Sequence, residues 1–294
     1  MKKISVLILC MLAYVASCHS QEPTCKQENM MSLGNVCLNL EAKPDTIIPY
    51  KTTSERTLNL HVFNAHGVAK NTQSPALLLF HGGGWNSGTP KQMYDQADYF
   101  AKNGITTISV EYRLYNIDNT PPRVSLMDAK SAFRWVLKNA AQLGINPELI
   151  AAGGASAGGH LAAALATVNE FNEPNETILP ISPKAFILFN PVIDNSEAGY
   201  GYERVEPYWR QFSPLHNIAP GHPPTIAFLG TNDKYIPVTT GEAYRDKIRA
   251  VGAKAELYIY PEKQHGFFNR KRSVADFKDT VLKAHVFLEN SLKP

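Results

Sequence analysis

Cysteine and strong charge are both scarce in this chain of 294 residues, which contains four cysteines and has a formal net charge of +3. No Cys-x-x-Cys pair and no His-Glu-x-x-His sequence is present, so these common zinc-binding patterns are missing. The basic cluster Arg270-Lys271-Arg272 is short and is interpreted as a solvated face. The sequence therefore predicts no metal centre and no nucleic-acid surface.

A long apolar run is missing as well. Residues 6–15 are apolar and follow Lys2 and Lys3, but this run is too short to span a bilayer and has the layout of a secretory signal. We predict that residues 1–18 are a signal peptide. The end of that segment also resembles a bacterial lipobox, in which Cys18 would be acylated, although ordinary signal-peptidase cleavage nearby fits too. The predicted location is secreted, periplasmic or lipid-anchored at the cell envelope, with membrane attachment only through lipid on Cys18.

After the signal, the chain divides into a short polar segment and one large domain. Residues 19–45 are polar and irregular, and we predict a tether or short N-terminal cover there. Cys10 would be lost with the signal, whereas Cys25 and Cys37 would form a disulfide outside the cytosol or remain two free thiols. Residues 46–294 contain no repeat or low-complexity linker and are long enough to bury a large core.

Strand patterns and helical patterns alternate along that domain. This rhythm predicts an α/β fold with a mostly parallel central sheet and helices on both faces. The predicted strands are residues 46–53, 58–63, 76–80, 106–112, 149–152, 184–190, 225–229 and 255–260. The predicted helices are residues 91–102, 124–142, 159–166, 239–251 and 273–292. The motifs described next follow strands, and ligands bind beyond the carboxyl ends of strands in such sheets.

Glycine is concentrated around one serine, in Gly153-Gly154-Ala155-Ser156-Ala157-Gly158-Gly159. The spacing Gly154-x-Ser156-x-Gly158 lies between a predicted strand and an Ala-rich helix, which is typical of a nucleophile elbow. In that turn, small neighbours let a strained backbone expose the serine hydroxyl. The alternative is a serine in a flexible glycine loop. We predict that Ser156 is a nucleophile.

A serine nucleophile needs a base, because its hydroxyl must lose a proton as it attacks. His265 follows the last predicted strand and is the predicted base. Asp233 follows the strand at residues 225–229 and is predicted to orient the imidazole. The resulting chain order of serine, aspartate and histidine is the order expected of this type of elbow.

Other residues compete for these roles. Asp194 and Glu262 are rival carboxylates, and Asp233 itself has the alternative of a turn aspartate that bonds its own backbone. His160 stands four residues after Ser156, but we interpret it as a packing or hydrogen-bonding residue.

Backbone donors for a negatively charged oxygen are predicted in His81-Gly82-Gly83-Gly84-Trp85, which follows a strand. We assign Gly83 and Gly84, together with Ala157, to an oxyanion hole. A tight bend or a phosphate cradle is the alternative, but no Lys-Ser or Lys-Thr follows the glycines as in a P-loop.

Aromatic residues are concentrated between residues 194 and 216, where the alternation of strands and helices is interrupted. This segment either forms part of a substrate wall or packs its own aromatics as a surface excursion. The residues predicted to contact substrate are Trp85, Tyr202 and Trp209.

Taken together, these motifs resemble the α/β-hydrolase superfamily, in particular its hormone-sensitive-lipase-like esterase branch, which includes acetyl xylan esterases. The resemblance spans roughly residues 45–292 and adds Glu111-Tyr112-Arg113-Leu114 and His265-Gly266-Phe267 to the motifs above. It implies an α/β-hydrolase fold at residues 46–294 and a serine carboxylesterase that needs no cofactor. Many such esterases carry a longer N-terminal helical cap, so we expect a more open site here.

Secreted bacterial members of that branch include carbohydrate deacetylases. The resemblance therefore implies short acyl esters as substrates, with O-acetyl groups on carbohydrate as the first expectation. A serine peptidase of the same fold is one alternative, because fold alone does not decide the chemistry. A binding protein with an inactive site is the other.

Overall fold

The computed structural model describes Cys25, residues 29–69 and residues 72–293. The predicted signal peptide, with Cys10 and Cys18, lies outside these residues. The strands are β1 Met30–Leu33, β2 Val36–Asn39, β3 Thr46–Thr52, β4 Thr57–Phe63, β5 Ser74–Phe80, β6 Thr106–Val110, β7 Ile145–Ala155, β8 Phe186–Phe189, β9 Thr225–Gly230 and β10 Ala255–Tyr260. The helices are α1 Tyr94–Lys102, α2 Tyr115–Asp118, α3 Pro122–Lys138, α4 Ala157–Thr167, α5 Tyr202–Val205, α6 Trp209–Phe212, α7 Val238–Ala250 and α8 Val274–Ser291. Short 3-10 helices lie at Pro90–Met93, Glu206–Tyr208 and Pro214–His216.

One large sheet contains eight strands in the order β10-β9-β8-β7-β5-β6-β4-β3. Neighbouring strands from β10 to β6 are parallel, whereas β4 pairs antiparallel with both β6 and β3. Parallel strands need crossover connections, and the helices between them supply these. The prediction of a mostly parallel central sheet is confirmed.

The core lies on both faces of this sheet. Successive side chains of a strand point to opposite faces, so Leu77 and Leu79 of β5 belong to one buried cluster, and Leu78 and Phe80 belong to the other. Helices α1 and α8 contribute to the first cluster, and α3, α4 and α7 contribute to the second. This explains why the central strands are continuous apolar runs rather than alternating ones. In the part of the chain that the structure describes, no helix combines the length and apolar character needed to cross a bilayer.

The expectation of an irregular segment at residues 19–45 is wrong for residues 30–39. Strands β1 and β2 form an antiparallel hairpin. Its Leu33 and Leu38 are buried in the cluster that α1 and α8 cover, and the amide of Asn39 donates to Asp98 of α1 at 3.0 Å. A disulfide joins Cys37 to Cys25, with the Cα atoms 5.8 Å apart. The two strands are too short for a strong sequence pattern, so the polar composition concealed them.

Candidate active site

The turn between β7 and α4 holds Ser156 in a strained backbone conformation, with φ 53° and ψ −119°. Close packing of the neighbouring backbone requires glycine on each side. A Cβ atom on Gly154 would lie 2.5 Å from the carbonyl oxygen of Phe80, and one on Gly158 would lie 2.1 Å from the same oxygen. The glycine spacing therefore allows the sharp strand-to-helix turn that exposes the hydroxyl at the carboxyl end of β7.

The three residues predicted as a catalytic triad meet in one chain of hydrogen bonds. Oγ of Ser156 lies 2.9 Å from Nε2 of His265, and Nδ1 of the same imidazole lies 2.7 Å from Oδ2 of Asp233. The Asp233 side chain is fully buried, whereas 23% of the His265 side chain is exposed. Because Nδ1–H donates to the carboxylate, Nε2 carries no proton and can accept the one on Ser156.

A tight turn fixes the carboxylate of Asp233. Its Oδ1 accepts hydrogen bonds from the amides of Tyr235 at 2.9 Å and Ile236 at 3.1 Å, which leaves Oδ2 for the imidazole. The alternative of a turn aspartate is thus compatible with the triad geometry, since one oxygen serves each purpose. The rival Asp194 instead accepts from the amide of Ser196 at 2.8 Å.

Two of the three residues predicted for the oxyanion hole line the cavity that contains Ser156, and the third follows Ser156 directly in the chain. Ala157 is the first residue of α4, and the first amides of a helix have no partner within it. Gly83 and Gly84 line the same cavity as Ser156. Within the described residues, neither glycine amide donates to another group of the chain, so both remain available for a substrate oxygen.

Hydrogen bonds hold residues 81–87, which we call the oxyanion loop. The amide of Gly82 donates to Oε1 of Gln92, and the hydroxyl of Tyr112 donates to the carbonyl of His81 at 2.7 Å. A Cβ atom on Gly82 would lie only 3.3 Å from Cβ of Ser156, which shows how closely the loop approaches the nucleophile. Burial lowers the pKa of His81 to about 4, so this histidine is neutral and supports the loop.

The serine opens into a cavity of about 320 Å³ that we call the active-site cavity. Its lining is mostly polar, and no aliphatic side chain larger than that of alanine belongs to it. The lining residues are Gly82, Gly83, Gly84, Ser87, Gln92, Ala155, Ser156, Asn190, Tyr200, Tyr235, His265, Gly266, Phe268, Asn269 and Arg272.

The aromatic residues predicted to contact substrate lie outside this lining. Trp85 is completely buried, and its ring packs edge-on against His160 at 5.0 Å between ring centres. Tyr202 and Trp209 pack against each other, with ring centres 6.5 Å apart. None of the three residues therefore lines the active-site cavity, and their contacts with substrate stay a prediction.

Two tyrosines form the aromatic wall instead. Tyr200 comes from the aromatic-rich segment and packs edge-on against Tyr235, with ring centres 5.9 Å apart. Tyr235 in turn packs edge-on against the imidazole of His265 at 5.1 Å. In the same segment Phe212 is fully buried, and Tyr208 and Trp209 are partly buried against the same core. The segment thus packs several of its aromatics against the core and contributes Tyr200 to the cavity lining.

Asn190 and Arg272 are residues that the sequence reasoning missed. Oδ1 of Asn190 accepts the amide of Gly266 at 2.8 Å, and Nη1 of Arg272 donates to the carbonyl of His265 at 2.8 Å. Both contacts support the loop between β10 and α8, which carries His265, from within the cavity wall. Asn190 follows β8 directly, so its strand-end position was the signal that could have found it. The sequence predicts Arg272 on a solvated face, yet the residue lines the active-site cavity.

His160 makes no contact with the hydroxyl. It is buried, and its Nε2–H donates to the carbonyl of Phe212 at 2.9 Å. Burial lowers its pKa to about 3, so it remains neutral. Similarly, Arg113 of the Glu-Tyr-Arg-Leu motif binds Asp128 of α3 through two hydrogen bonds of 2.8 Å. The hydrogen bonds of His160 and Arg113 therefore stabilise the structure around the site.

Family models match two parts of the chain that overlap at residues 191–198. One, described as BD-FAE, matches residues 66–198, and that of the dienelactone hydrolase family matches residues 191–287.

Individual relatives have esterase names. An acetylxylan esterase of Xylanibacter ruminicola is 30% identical over 68% of this chain and 42% of its own length. The carboxylesterase NlhH of Mycobacterium tuberculosis is 30% identical over 66% of this chain and 67% of its own. The chain thus spans less than half of the acetylxylan esterase. The propionate-bound structure of an esterase from Thermogutta terrifontis is 33% identical, with a TM-score of 0.79 over 87% of this chain and 97% of that one.

Proposed function

The chain belongs to the esterase branch of the α/β-hydrolase superfamily, and from that membership we propose that it is a serine carboxylesterase working through an acyl-enzyme. The observation that carries the proposal is the hydrogen-bonded chain from Ser156 through His265 to Asp233. The proposed substrates are short acyl esters, in particular O-acetyl groups on carbohydrate.

In the first half of the proposed reaction, Oγ of Ser156 attacks the ester carbonyl while Nε2 of His265 takes the hydroxyl proton. Asp233 stabilises the imidazolium that forms. The carbonyl oxygen becomes an oxyanion, which accepts hydrogen bonds from the glycine amides of the oxyanion loop and from Ala157. Each such donor contributes about 3 kcal/mol to the transition state. The imidazolium then gives its proton to the departing alkoxide, and the acyl group stays on Oγ.

In the second half, a water molecule replaces the alcohol. His265 takes a proton from this water as its oxygen attacks the acyl carbonyl, and the same amides bind the second oxyanion. Collapse of the intermediate returns the proton to Oγ of Ser156 and releases a carboxylic acid. The side chains and amides of this chain supply every proton transfer and every donor in the cycle.

The walls of the active-site cavity support the choice of substrate. A long acyl chain needs a continuous apolar channel to repay its removal from water. The lining instead offers amide, hydroxyl and guanidinium groups, including Asn190, Asn269 and Arg272, which can bind the hydroxyls of a sugar. The name of the Xylanibacter ruminicola relative, an acetylxylan esterase, supports the same choice.

The mechanism is tested with Ser156→Ala and p-nitrophenyl acetate. Loss of the nucleophile should lower kcat by about 10⁶-fold, leaving only the acceleration that the oxyanion hole and substrate binding provide. A fluorophosphonate probe should label the unchanged protein and Ser87→Ala, but not Ser156→Ala. Full activity in Ser156→Ala would falsify the acyl-enzyme mechanism. Failure of the unchanged protein to react with either reagent would favour a binding protein with an inactive site.

The substrate class is tested separately. We expect acetate release from acetylated xylan and no release of amine from aminoacyl amides. The reverse result would favour a serine peptidase of the same fold. Hydrolysis of p-nitrophenyl acetate without release of acetate from any acetylated carbohydrate would retain the esterase and exclude the proposed alcohol.

We also propose that the protein acts outside the cytosol. The charged and apolar pattern of residues 1–18 supports this proposal, and a Cys25–Cys37 disulfide is compatible with an oxidising compartment. Mass spectrometry of the mature N-terminus separates the two predicted forms. A lipid-modified Cys18 would be heavier by its acyl chains, whereas ordinary cleavage would leave an unmodified terminus.

A further inference from the structure

A second cavity, of about 380 Å³, adjoins the active-site cavity, and Gly84 of the oxyanion loop lines both. The site described above makes no use of it. Its other walls are Trp85, Asn86, Tyr115, Pro121, Pro122 and Arg204. An apolar surface with a few polar groups is typical of a site for a small ligand.

An exposed aromatic ring forms one wall of this second cavity. Tyr115 is 57% exposed, although large aromatic side chains usually bury most of their surface. Its backbone is nevertheless fixed, because its amide donates to the carbonyl of Trp85 at 3.0 Å. The next amide, that of Asn116, donates to the carbonyl of Asn86 at 3.1 Å. The ring is therefore presented from a backbone that is bound to the oxyanion loop.

Polar groups stand beside the apolar wall. The guanidinium of Arg204 lies 5.3 Å from the ring centre of Trp85 and 5.2 Å from that of Tyr200. Its Nη1 donates to the carbonyl of Gly84 at 2.6 Å and its Nε donates to Glu203 at 3.1 Å, and the guanidinium has further N–H groups on Nη2. Asn86 adds a side-chain amide to the same lining. A ligand here would meet the exposed ring of Tyr115 and proline side chains together with hydrogen-bond donors, whereas the Trp85 side chain is fully buried.

We propose that the second cavity is a carbohydrate subsite for the sugar residue next to the acetylated one in an oligosaccharide. A pyranose ring has a C–H face that packs on an aromatic ring and hydroxyls at its rim that bind a guanidinium or an amide. Because Gly84 lines both cavities, this subsite is the neighbour of the cavity in which the ester carbonyl reacts. The inference rests on the proposed function, because it names the part of the alcohol that lies beyond the scissile ester.

Kinetics on three substrates test the subsite. Unchanged protein, Tyr115→Ala and Tyr115→Phe are compared on O-acetylated xylotriose, p-nitrophenyl acetate and p-nitrophenyl octanoate. The ratio of kcat/KM for the acetylated xylotriose to that for p-nitrophenyl acetate should fall about tenfold in Tyr115→Ala, because an aromatic contact is worth that much in affinity. Tyr115→Phe keeps the ring and should keep the ratio of the unchanged protein.

The same helix α2 offers a matched control. Ile117 is 63% exposed and lines neither cavity, so Ile117→Ala should leave the ratio unchanged. An unchanged ratio in Tyr115→Ala would overturn the subsite. A fall confined to p-nitrophenyl octanoate would also overturn it, since the cavity would then hold an acyl chain.

A binding experiment keeps the subsite separate from the esterase activity. In Ser156→Ala, unacetylated xylotriose should shift the NMR amide signals of Tyr115 and Asn86, and Tyr115→Ala in that background should weaken binding about tenfold. Absence of these shifts would overturn the subsite while leaving the esterase mechanism in place. If xylotriose binds in this way but the unchanged protein hydrolyses no ester, the subsite is supported and the proposed function is contradicted.

Discussion

Both carboxylate oxygens of Asp233 are held by hydrogen bonds. Its side chain is fully buried, one oxygen accepts two backbone amides, and the other accepts the imidazole N–H of His265. A carboxylate held in this way fixes which imidazole nitrogen carries the proton, and it stabilises the positive charge that develops on the ring.

Replacing Asp233 by asparagine should therefore damage catalysis without damaging the fold. In Asp233→Asn an amide N–H₂ facing Nδ1 would favour the imidazole tautomer with its proton on Nε2, which cannot accept the proton of Ser156. We expect kcat for p-nitrophenyl acetate to fall about 10⁴-fold at pH 7. Circular dichroism should be unchanged, because Asn retains an oxygen for the amides of Tyr235 and Ile236. A kcat within tenfold of that of the unchanged protein would contradict this role.

The contacts of individual residues were predictable only where chain order constrains them. Ser156, Asp233 and His265 each follow a parallel strand, and the carboxyl ends of such strands meet at one edge of the sheet. No such rule says which aromatic side chain turns inward. Trp85 has φ 58° in a tight loop, and this backbone conformation directs its ring into the core. Its direction depends on tertiary packing that local sequence does not encode.

At the scale of elements, the sequence predicts which helices and strands exist better than it predicts the residues at which they begin and end. The sequence predicts helix α3 at residues 124–142, but the helix begins at Pro122 and ends at Lys138. Proline at the first helical position is favourable, because its missing N–H has no partner there anyway. At the other end, the side chain of Asn139 donates to the carbonyl of Trp135 at 2.7 Å, and the chain leaves the helix. The signals at Pro122 and Asn139 each involve one residue, whereas the apolar pattern that predicts the helix extends over many residues and does not mark its ends.

The segment between β8 and β9 is the element that sequence periodicity described least. It contains α5 and α6, and Arg204 of α5 reaches across to the carbonyl of Gly84 at 2.6 Å. This contact joins the segment to the oxyanion loop. Because the two groups are 120 residues apart in the chain, only the folded structure reveals it.

Arg204 should act as a positioning residue for the oxyanion loop. We expect Arg204→Gln to lower kcat for p-nitrophenyl acetate about tenfold, less than the loss of an oxyanion donor itself, with KM nearly unchanged. Loosening the loop weakens binding of the oxyanion in the transition state more than binding of the neutral ester. Arg204→Lys should restore part of the rate, since a cation still reaches the carbonyl.

Arg210 provides the matched control for this prediction. It lies in the same segment, is exposed, and packs over the ring of Trp209 at 5.1 Å. Arg210→Gln should leave both kcat and KM unchanged. A rise in KM with constant kcat in Arg204→Gln would argue against positioning and for ordinary substrate binding.

At the scale of the whole molecule, alternation of strands and helices was enough to predict the sheet and its two covered faces. Each parallel strand needs a crossover connection, which the chain forms with a helix. Because both faces of the sheet are covered, the central strands are continuous apolar runs. The alternation of apolar strand and helix is therefore repeated many times along the chain. Cavities carry no comparable signal. The active-site cavity combines residues from seven separate stretches, from Gly82 to Arg272, and its shape follows from their packing.

Two neutral histidines lie inside this fold and make its stability depend on pH. His81 supports the oxyanion loop, and His160 lies on α4, where its ring packs against Phe212. Burial lowers the pKa of His81 to about 4 and that of His160 to about 3, from an ordinary value of 6.5. Between these values and pH 6.5 the unfolded chain binds protons that the folded chain excludes. The free energy of unfolding therefore falls as the pH is lowered through this range.

The contribution of His160 can be isolated with His160→Gln, whose Nε2 amide can still donate to the carbonyl of Phe212. The unchanged protein should lose about 2–3 kcal/mol of unfolding free energy through this residue between pH 7 and pH 4.5. We measure the free energy of unfolding with urea at both pH values. The decrease from pH 7 to pH 4.5 should be smaller by this amount in His160→Gln than in the unchanged protein, whatever the stability of the variant at pH 7. His66→Gln, at an exposed position, should retain the pH dependence of the unchanged protein. An identical pH dependence in His160→Gln would show that this histidine is accessible to protons in the folded state.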